Sequence, residues 1–204
     1  MPPALIVWDF DGVLNAPGPN WAEGMRDALG VDGRALAAHL KGSGRLRDVM
    51  RGRCDLRALV GDWLNRQGAE VTAEAVLGWW FRAEDRPDAQ VLGWLRTHPA
   101  RHVIGTNNEP HRAASIDKGF GIGAGIGARA GAKVEAVFAS GRMGVAKPDP
   151  GFFAEIERWA GLPPEAILLV DDAPGNVAAA KARGWRGFLF NAATRASLPR
   201  VLFP

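Results

Sequence analysis

Four short stretches of the chain hold the residue types that could do chemistry: Asp9 and Asp11 in VWDFDG, Thr106 and Asn107 in GTNNEP, Lys147 in AKPDP, and Asp171 with Asp172 in LVDDAPGN. Asp9 and Asp11 close an apolar run that reads as buried, and a bare carboxylate there is costly unless something binds it. Three or four carboxylates, one ammonium, one hydroxyl and a set of loop amides make a set of hard oxygen donors with a single cation. Such a set suits Mg²⁺, which is held by one or two carboxylates together with substrate phosphate and water. A divalent cation and Lys147 would offset the charge that burial of Asp9 and Asp11 otherwise penalises.

These residues can meet only if the elements carrying them share an edge. Short apolar runs at Ala4 to Trp8, Arg101 to Gly105, Ala136 to Ala139, Ile167 to Val170 and Trp185 to Phe190 are too short and too uniformly apolar for surface helices, and read as buried parallel strands. Helical stretches lie between the later ones. Asp149 caps one that starts at Pro150 and runs to Gly161, and Asn176 leads another to Gly184. This alternation predicts a doubly wound α/β sheet, in which polar residues at successive strand ends converge on one edge. About ninety residues separate the first two strands, where a crossover needs roughly a dozen. Residues 16–86 read as several helices and no strand, so the expected organisation is an α/β core of residues 1–15 and 87–204 with a helical cap between. The glycine-rich stretch 119–132 reads as a loop, because a phosphate-cradling glycine pattern needs a strand just before it.

The motifs DFDG, TN, KPDP and DDxxxN, in that order, resemble those of the haloacid dehalogenase superfamily, and the insertion is similar to the small helical cap of its phosphoglycolate-phosphatase-like and β-phosphoglucomutase-like branch. The resemblance implies that Asp9 is a nucleophile forming an aspartyl-phosphate and also a metal ligand. It implies that Asp11 is the general acid and base, with its main-chain carbonyl on the metal. Thr106 and the Asn107 amide would hold the transferring phosphoryl group, Lys147 would neutralise that group and the nucleophile, Asp172 would bind Mg²⁺ directly and Asp171 through water. Family members acting on carbon–halogen bonds resemble this chain at the first aspartate but lack the second, which has no ester oxygen to protonate. Asp11 therefore favours phosphate esters.

The expected activity is Mg²⁺-dependent hydrolysis of a small phosphorylated metabolite. A phosphomutase sharing the first step and a catalytically silent relative are the alternatives. Arg45, Arg47, Arg51 and Arg53 crowd one segment of the insertion; a solvated basic face is the plain reading, and the functional one places Arg51 and Arg53 on the substrate. Trp63, Trp79, Trp80 and Trp94 read as core, except that two adjacent tryptophans cannot both face inward, which leaves one for the cleft. His39, His98, His102 and His111 have no metal-ligand spacing. The chain of 204 residues, 47% hydrophobic and 23% charged, is that of a globular protein, and its net charge of +3 is scattered rather than blocked, so neither nucleic acid nor membrane is an expected partner. One cysteine, Cys54, allows no internal disulfide. With no basic-then-apolar leader and no run near ~18 apolar residues, a cytoplasmic location is expected.

Overall fold

The computed structural model of the chain describes residues 2–18, 20–120 and 134–203. Its strands are β1 (Leu5–Trp8), β2 (Arg101–Thr106), β3 (Val137–Ala139), β4 (Ile167–Asp171) and β5 (Arg186–Leu189), all parallel, in the order β3-β2-β1-β4-β5. Each lies within two residues of the run that predicts it. The small differences matter, because Thr106 and Asp171 are the last residues of β2 and β4 rather than parts of the loops beyond. Val7 registers with Val103 on one side and Leu169 on the other, so the chain winds outward from β1 in both directions. The crevice at which the winding reverses lies beside β1, where a doubly wound sheet binds its ligand.

Side-chain alternation along β1 explains the layers. Ile6 and Trp8 face a cluster with Leu95 of α6 (Ala89–Thr97), Ile116 of α7 (Pro110–Phe120) and Leu198 of α11 (Leu198–Leu202). Leu5 and Val7 face the opposite cluster, with Phe152, Phe153 and Ile156 of α9 (Pro150–Ala160) and Ala180 of α10 (Pro174–Ala182). With both faces covered, β1 is wholly buried. Asp149 caps α9 as the sequence predicts, its side chain accepting from Gly151 N at 2.8 Å. Asn176 does not cap α10. That helix begins two residues earlier at Pro174, which places Asn176 in the first turn, buried and facing Asp171.

Between β1 and β2 the chain forms α1 (Met25–Leu29), α2 (Gly33–Gly42), α3 (Leu46–Val49), α4 (Leu56–Gln67) and α5 (Ala73–Ala83). Their apolar faces make a separate core that includes Met25, Leu36, Leu40, Val60, Leu64 and Val76. Asp32, Asp55 and Thr72 cap α2, α4 and α5 through main-chain amides three residues on. The two connections to the sheet run side by side: Ala16 N donates to Arg86 O at 2.8 Å and Asp88 N to Leu14 O at 2.9 Å. Among the described residues no helix is long and apolar enough to cross a membrane. The glycine-rich stretch lies outside the described residues, except for Gly119 and Phe120 at the end of α7.

Two of the four histidines serve the core. Trp8 Nε1 donates to His102 Nδ1 at 3.0 Å and His102 Nε2 bonds the His98 carbonyl at 3.2 Å, which fixes a neutral ring with its proton on Nε2. Burial pushes His102 down to about 4.

Candidate active site

Asp9 follows β1 and its main-chain N–H donates to Val170 O, so the β1–β4 ladder aims it at the carboxyl edge of the sheet. Its Oδ1 accepts from Phe10 N at 2.7 Å and lies 3.1 Å from Lys147 Nζ. Lys147 is completely buried. Its ammonium donates to Asp171 Oδ2 at 2.6 Å and to the Gly105 carbonyl at 2.5 Å. Asp171 is equally buried and fully bonded: its Oδ1 accepts from Ala173 N and from Asn176 Nδ2, both at 2.9 Å. Asp172, half-open to solvent, completes a group in which one carboxylate oxygen each from Asp9, Asp171 and Asp172 lies within 4.8 Å of the others. Gly12 makes room for it. At φ +82° the chain turns in the left-handed region, and a Cβ there would collide with the Asp172 carboxylate.

One ammonium faces two buried carboxylates, and the charge state follows from that imbalance. Burial alone would lower Lys147, but Asp9 and Asp171 outweigh it and hold the ammonium above its ordinary range. Asp171 has the shorter contact, so Asp9 is the surplus anion. Burial drives Asp9 up to about 7, with Asp171 adding to the rise and Lys147 opposing it. Asp172 is also raised, by burial first and by Asp171 second. A cluster that resists ionisation in this way fits a divalent cation, and its donors are all hard oxygens.

Thr106 is buried at the end of β2, and its Oγ1 accepts from Asn108 Nδ2 at 2.8 Å. The Asn107 carboxamide is committed to the main chain of Lys147, accepting from its N–H and donating to its carbonyl, both at 2.8 Å. It therefore sets the position of the lysine, and its own main-chain N–H is the group left for an anion. Asp11 is not a member of that carboxylate group. Its Oδ2 accepts from Asn108 Nδ2 at 2.9 Å and its Oδ1 from Asn15 Nδ2 at 3.1 Å, with Arg112 Nη2 at 3.7 Å and half of the side chain exposed.

These groups open on a cavity of about 650 Å³ whose far wall comes from Pro17, Gly18, Met50, Trp80 and Glu84. Trp80 is the member of the adjacent pair that reaches the cleft. Trp79 donates its indole N–H to Trp21 O at 3.3 Å, while Trp21 stacks on Trp80 with centroids 4.0 Å apart. Arg51 and Arg53 do not line the cavity. The helix α3 ends at Val49, before the spacing that would align Arg47 with Arg51, and Arg53 is two-thirds exposed beside Asp48. Their turn meets the core through its main chain: Ser140 of α8 (Ser140–Met143) donates from Oγ to Met50 O at 2.5 Å, and Gly52 packs on Gly141. The His111–Asp55 pair, at 3.2 Å, lies beside that contact.

Gly52 permits this approach because at φ +67° any Cβ would overlap the Gly141 carbonyl oxygen. Gly44 shares the conformation, φ +68°, but has open space around it. Gly52→Ala should therefore lose roughly 1–3 kcal/mol more than Gly44→Ala and lower turnover as the turn withdraws. Equal thermal shifts and equal activities in the two variants would mean that the turn does not touch α8 in solution.

Four residues of the site escape a reading by motif: Asn15, Glu84, Asn108 and Arg112. Asn15 is buried between the two connections, bonding Asp11, the Glu84 carbonyl at 2.8 Å and Arg86 N at 2.7 Å. Arg112, on α7, is buried between the Phe10 and Phe81 rings and donates to Phe81 O at 2.9 Å. Burial raises Glu84, and Asp11 adds to the rise, against the nearby Trp80 indole and Arg112. Asn108 alone had a signal, as the neighbour of Asn107.

The sheet edge and the aspartate cluster on it define a doubly wound α/β enzyme with a helical insertion over its site. The chain belongs to the haloacid dehalogenase-like hydrolase family, which it matches over residues 3–184, and it is a hydrolase. A search of curated proteins gives no match. Among solved structures it is similar to a predicted HAD-like family hydrolase from Porphyromonas gingivalis, with TM-score 0.77, 22% identity and all of both chains covered. A HAD family enzyme from Bacteroides thetaiotaomicron, in complex with magnesium and inorganic phosphate, aligns with TM-score 0.75 and 17% identity over 98% of each chain. The L-2-haloacid dehalogenase of Xanthobacter autotrophicus with chloropropionic acid covalently bound aligns with TM-score 0.62 and 19% identity, over 97% of this chain and 81% of that one. At these identities the likeness is one of fold.

Proposed function

We propose that the protein is a Mg²⁺-dependent phosphatase of small phosphate monoesters that works through a phosphorylated Asp9. The observation that carries this reading is the pairing of the surplus buried carboxylate of Asp9 with a second, solvent-reaching carboxylate, Asp11, in the lining of one cavity. The Bacteroides enzyme of the same fold holds magnesium and phosphate together, which agrees with it. The Xanthobacter dehalogenase shows that the fold also hosts carbon–halogen chemistry, and Asp11 is the residue that favours the ester here.

Asp9 and Asp172 would hold the Mg²⁺, with the Asp11 main-chain carbonyl as a third ligand and Asp171 behind them. Bound there, the cation supplies charge neutralisation for a dianionic phosphoryl group. The described hydrogen bonds to Asp9 all go to Oδ1, so Oδ2 is the oxygen assigned to attack. As the Asp9–phosphorus bond forms, the ester P–O bond breaks, and Asp11 gives its proton to the departing alkoxide. Water then attacks phosphorus, Asp11 takes the water proton, and the Asp9–phosphorus bond breaks to restore the carboxylate. Lys147 holds Asp9 in line and screens it from the incoming anion, while Thr106 Oγ1 and the Asn107 N–H receive the phosphoryl oxygens.

Phosphate release from phenyl phosphate tests the reading. The expected result is turnover with Mg²⁺, none with chelator, and no need for a bisphosphate activator. No release under any divalent metal would refute the phosphatase assignment, and an absolute need for a bisphosphate would turn it into a mutase.

A further inference from the structure

The wall of the cavity facing the leaving group carries an electrostatic signature that restricts the substrate. Among the described residues, no lysine or arginine lines the cavity, whereas Asp9, Asp11, Glu84 and Asp172 do. Lys147 lies beneath its floor with no exposed side-chain surface. Arg112 is 5% exposed and lines a separate small cavity of about 70 Å³ on the other side of Asp11. Its contacts are with Phe81 O and the neighbourhood of Asp11, so one guanidinium stands behind two carboxylates, Asp11 and Glu84, on the side where the alcohol departs. Of the nearby cations of the insertion, Arg45, Arg47 and Arg53 are exposed, Arg51 is absent from the lining, and Arg86 packs against Gly18 without itself lining the cavity.

A second anion on the leaving group would therefore meet like charge and find no partner. A hydrogen-bond donor or a cation would find both a carboxylate and an aromatic surface. Glu84 supplies the carboxylate, one helical turn along from Trp80, and Trp80 supplies an indole held in place by its stack on Trp21. The Trp80 indole N–H lies toward the Glu84 carboxylate, so that the two side chains form one acidic and aromatic patch.

We infer that the substrates are phosphate monoesters of amino alcohols and, second to them, of neutral polyols, with Glu84 and Trp80 as the residues that select the alcohol, and that esters bearing a further carboxylate or phosphate are rejected. This rests on the phosphatase reading above. It replaces recognition by the basic segment at Arg51 and Arg53 with recognition by an acidic and aromatic wall.

Three esters of matched size test it: 2-aminoethyl, 2-hydroxyethyl and carboxymethyl phosphate, with phenyl phosphate as the common reference. The expected order of kcat/KM is amino, then hydroxy, then carboxy, with at least about a tenfold span from first to last. Glu84→Gln should shrink that span to about threefold or less, and Glu84→Lys should reverse it, each read as the ratio among the three esters within one variant. Calorimetric titration of the same esters into Asp9→Asn with Mg²⁺ gives a readout free of turnover, and should rank them alike. Turnover of phenyl phosphate together with a preference for the carboxymethyl ester would overturn the inference and leave the phosphatase standing. Ranked binding without turnover of any ester would do the reverse. A span that survives Glu84→Gln unchanged would remove Glu84 from the selecting role.

Discussion

Asp9→Asn should abolish hydrolysis, by roughly 10⁴-fold or more, and yet give a metal-free protein that is more stable than the wild type at pH 8. Both effects have the same origin. Asp9 is the carboxylate that the single buried ammonium does not neutralise, and a carboxylate in the proposed nucleophilic role needs its negative charge. Its folded pKa of about 7 stands above the 3.8 of an unperturbed aspartate, so the folded state holds the proton more tightly than the unfolded chain. The stabilising contribution of that proton is complete below about pH 3.8 and is lost as pH rises through about 7. Asparagine cannot ionise and escapes the loss. In chelator, the melting temperature of Asp9→Asn should exceed that of the wild type at pH 8, and the gap should close toward pH 4. Saturating Mg²⁺ should raise the wild type more than the variant. Residual turnover within tenfold of wild type would assign the nucleophile elsewhere, and a gap of constant size from pH 4 to 8 would show that Asp9 ionises normally.

The second large effect belongs to Lys147→Met, which removes the cation and leaves Asp171 and Asp9 facing each other in the interior. Stripping one partner from a buried ion pair costs about 3–5 kcal/mol, on the order of 10 °C in melting temperature for a chain of this size. Activity should vanish as well, but the two losses are separable. Adding Asp171→Asn removes the orphaned charge and should recover at least about half of the lost stability with no recovery of turnover. A single variant that melts with the wild type would place the Nζ atom in solvent rather than between the two carboxylates. Activity regained in the double variant would relieve Lys147 of its screening role.

The core of the fold was legible because each signal in it is local. LIVW and ILLVD are buried on both faces, and a run that short and that apolar has few other readings. Asp149 with Pro150 marks a helix start by side-chain chemistry alone. The convergence of the candidate residues on strand ends was legible for a related reason, since a parallel sheet brings those ends to one edge whatever surrounds them. The far wall had no such rule. Glu84 and Arg112 reach the site only because the end of α5 comes to rest against α7, a tertiary contact that leaves no periodic trace in either segment. Arg51 and Arg53 illustrate the converse: a dense basic run suggests an anion, but the turn presents Met50 and the main chain of Gly52 instead. Asparagine favours a cap position, which is what Asn176 suggests, but the helix starts earlier and uses the side chain to hold Asp171.

Asn15, on the outgoing connection, holds the returning one at Glu84 O and Arg86 N with one carboxamide, and the same Nδ2 reaches the side chain of Asp11. A pivot so placed makes the tilt of the helical body and the aim of Asp11, the proposed proton donor, a single coordinate. A bulky ester that props the body ajar would consequently still dock its phosphate, yet be cut slowly. Discrimination by size would then register in the rate of bond cleavage rather than in affinity.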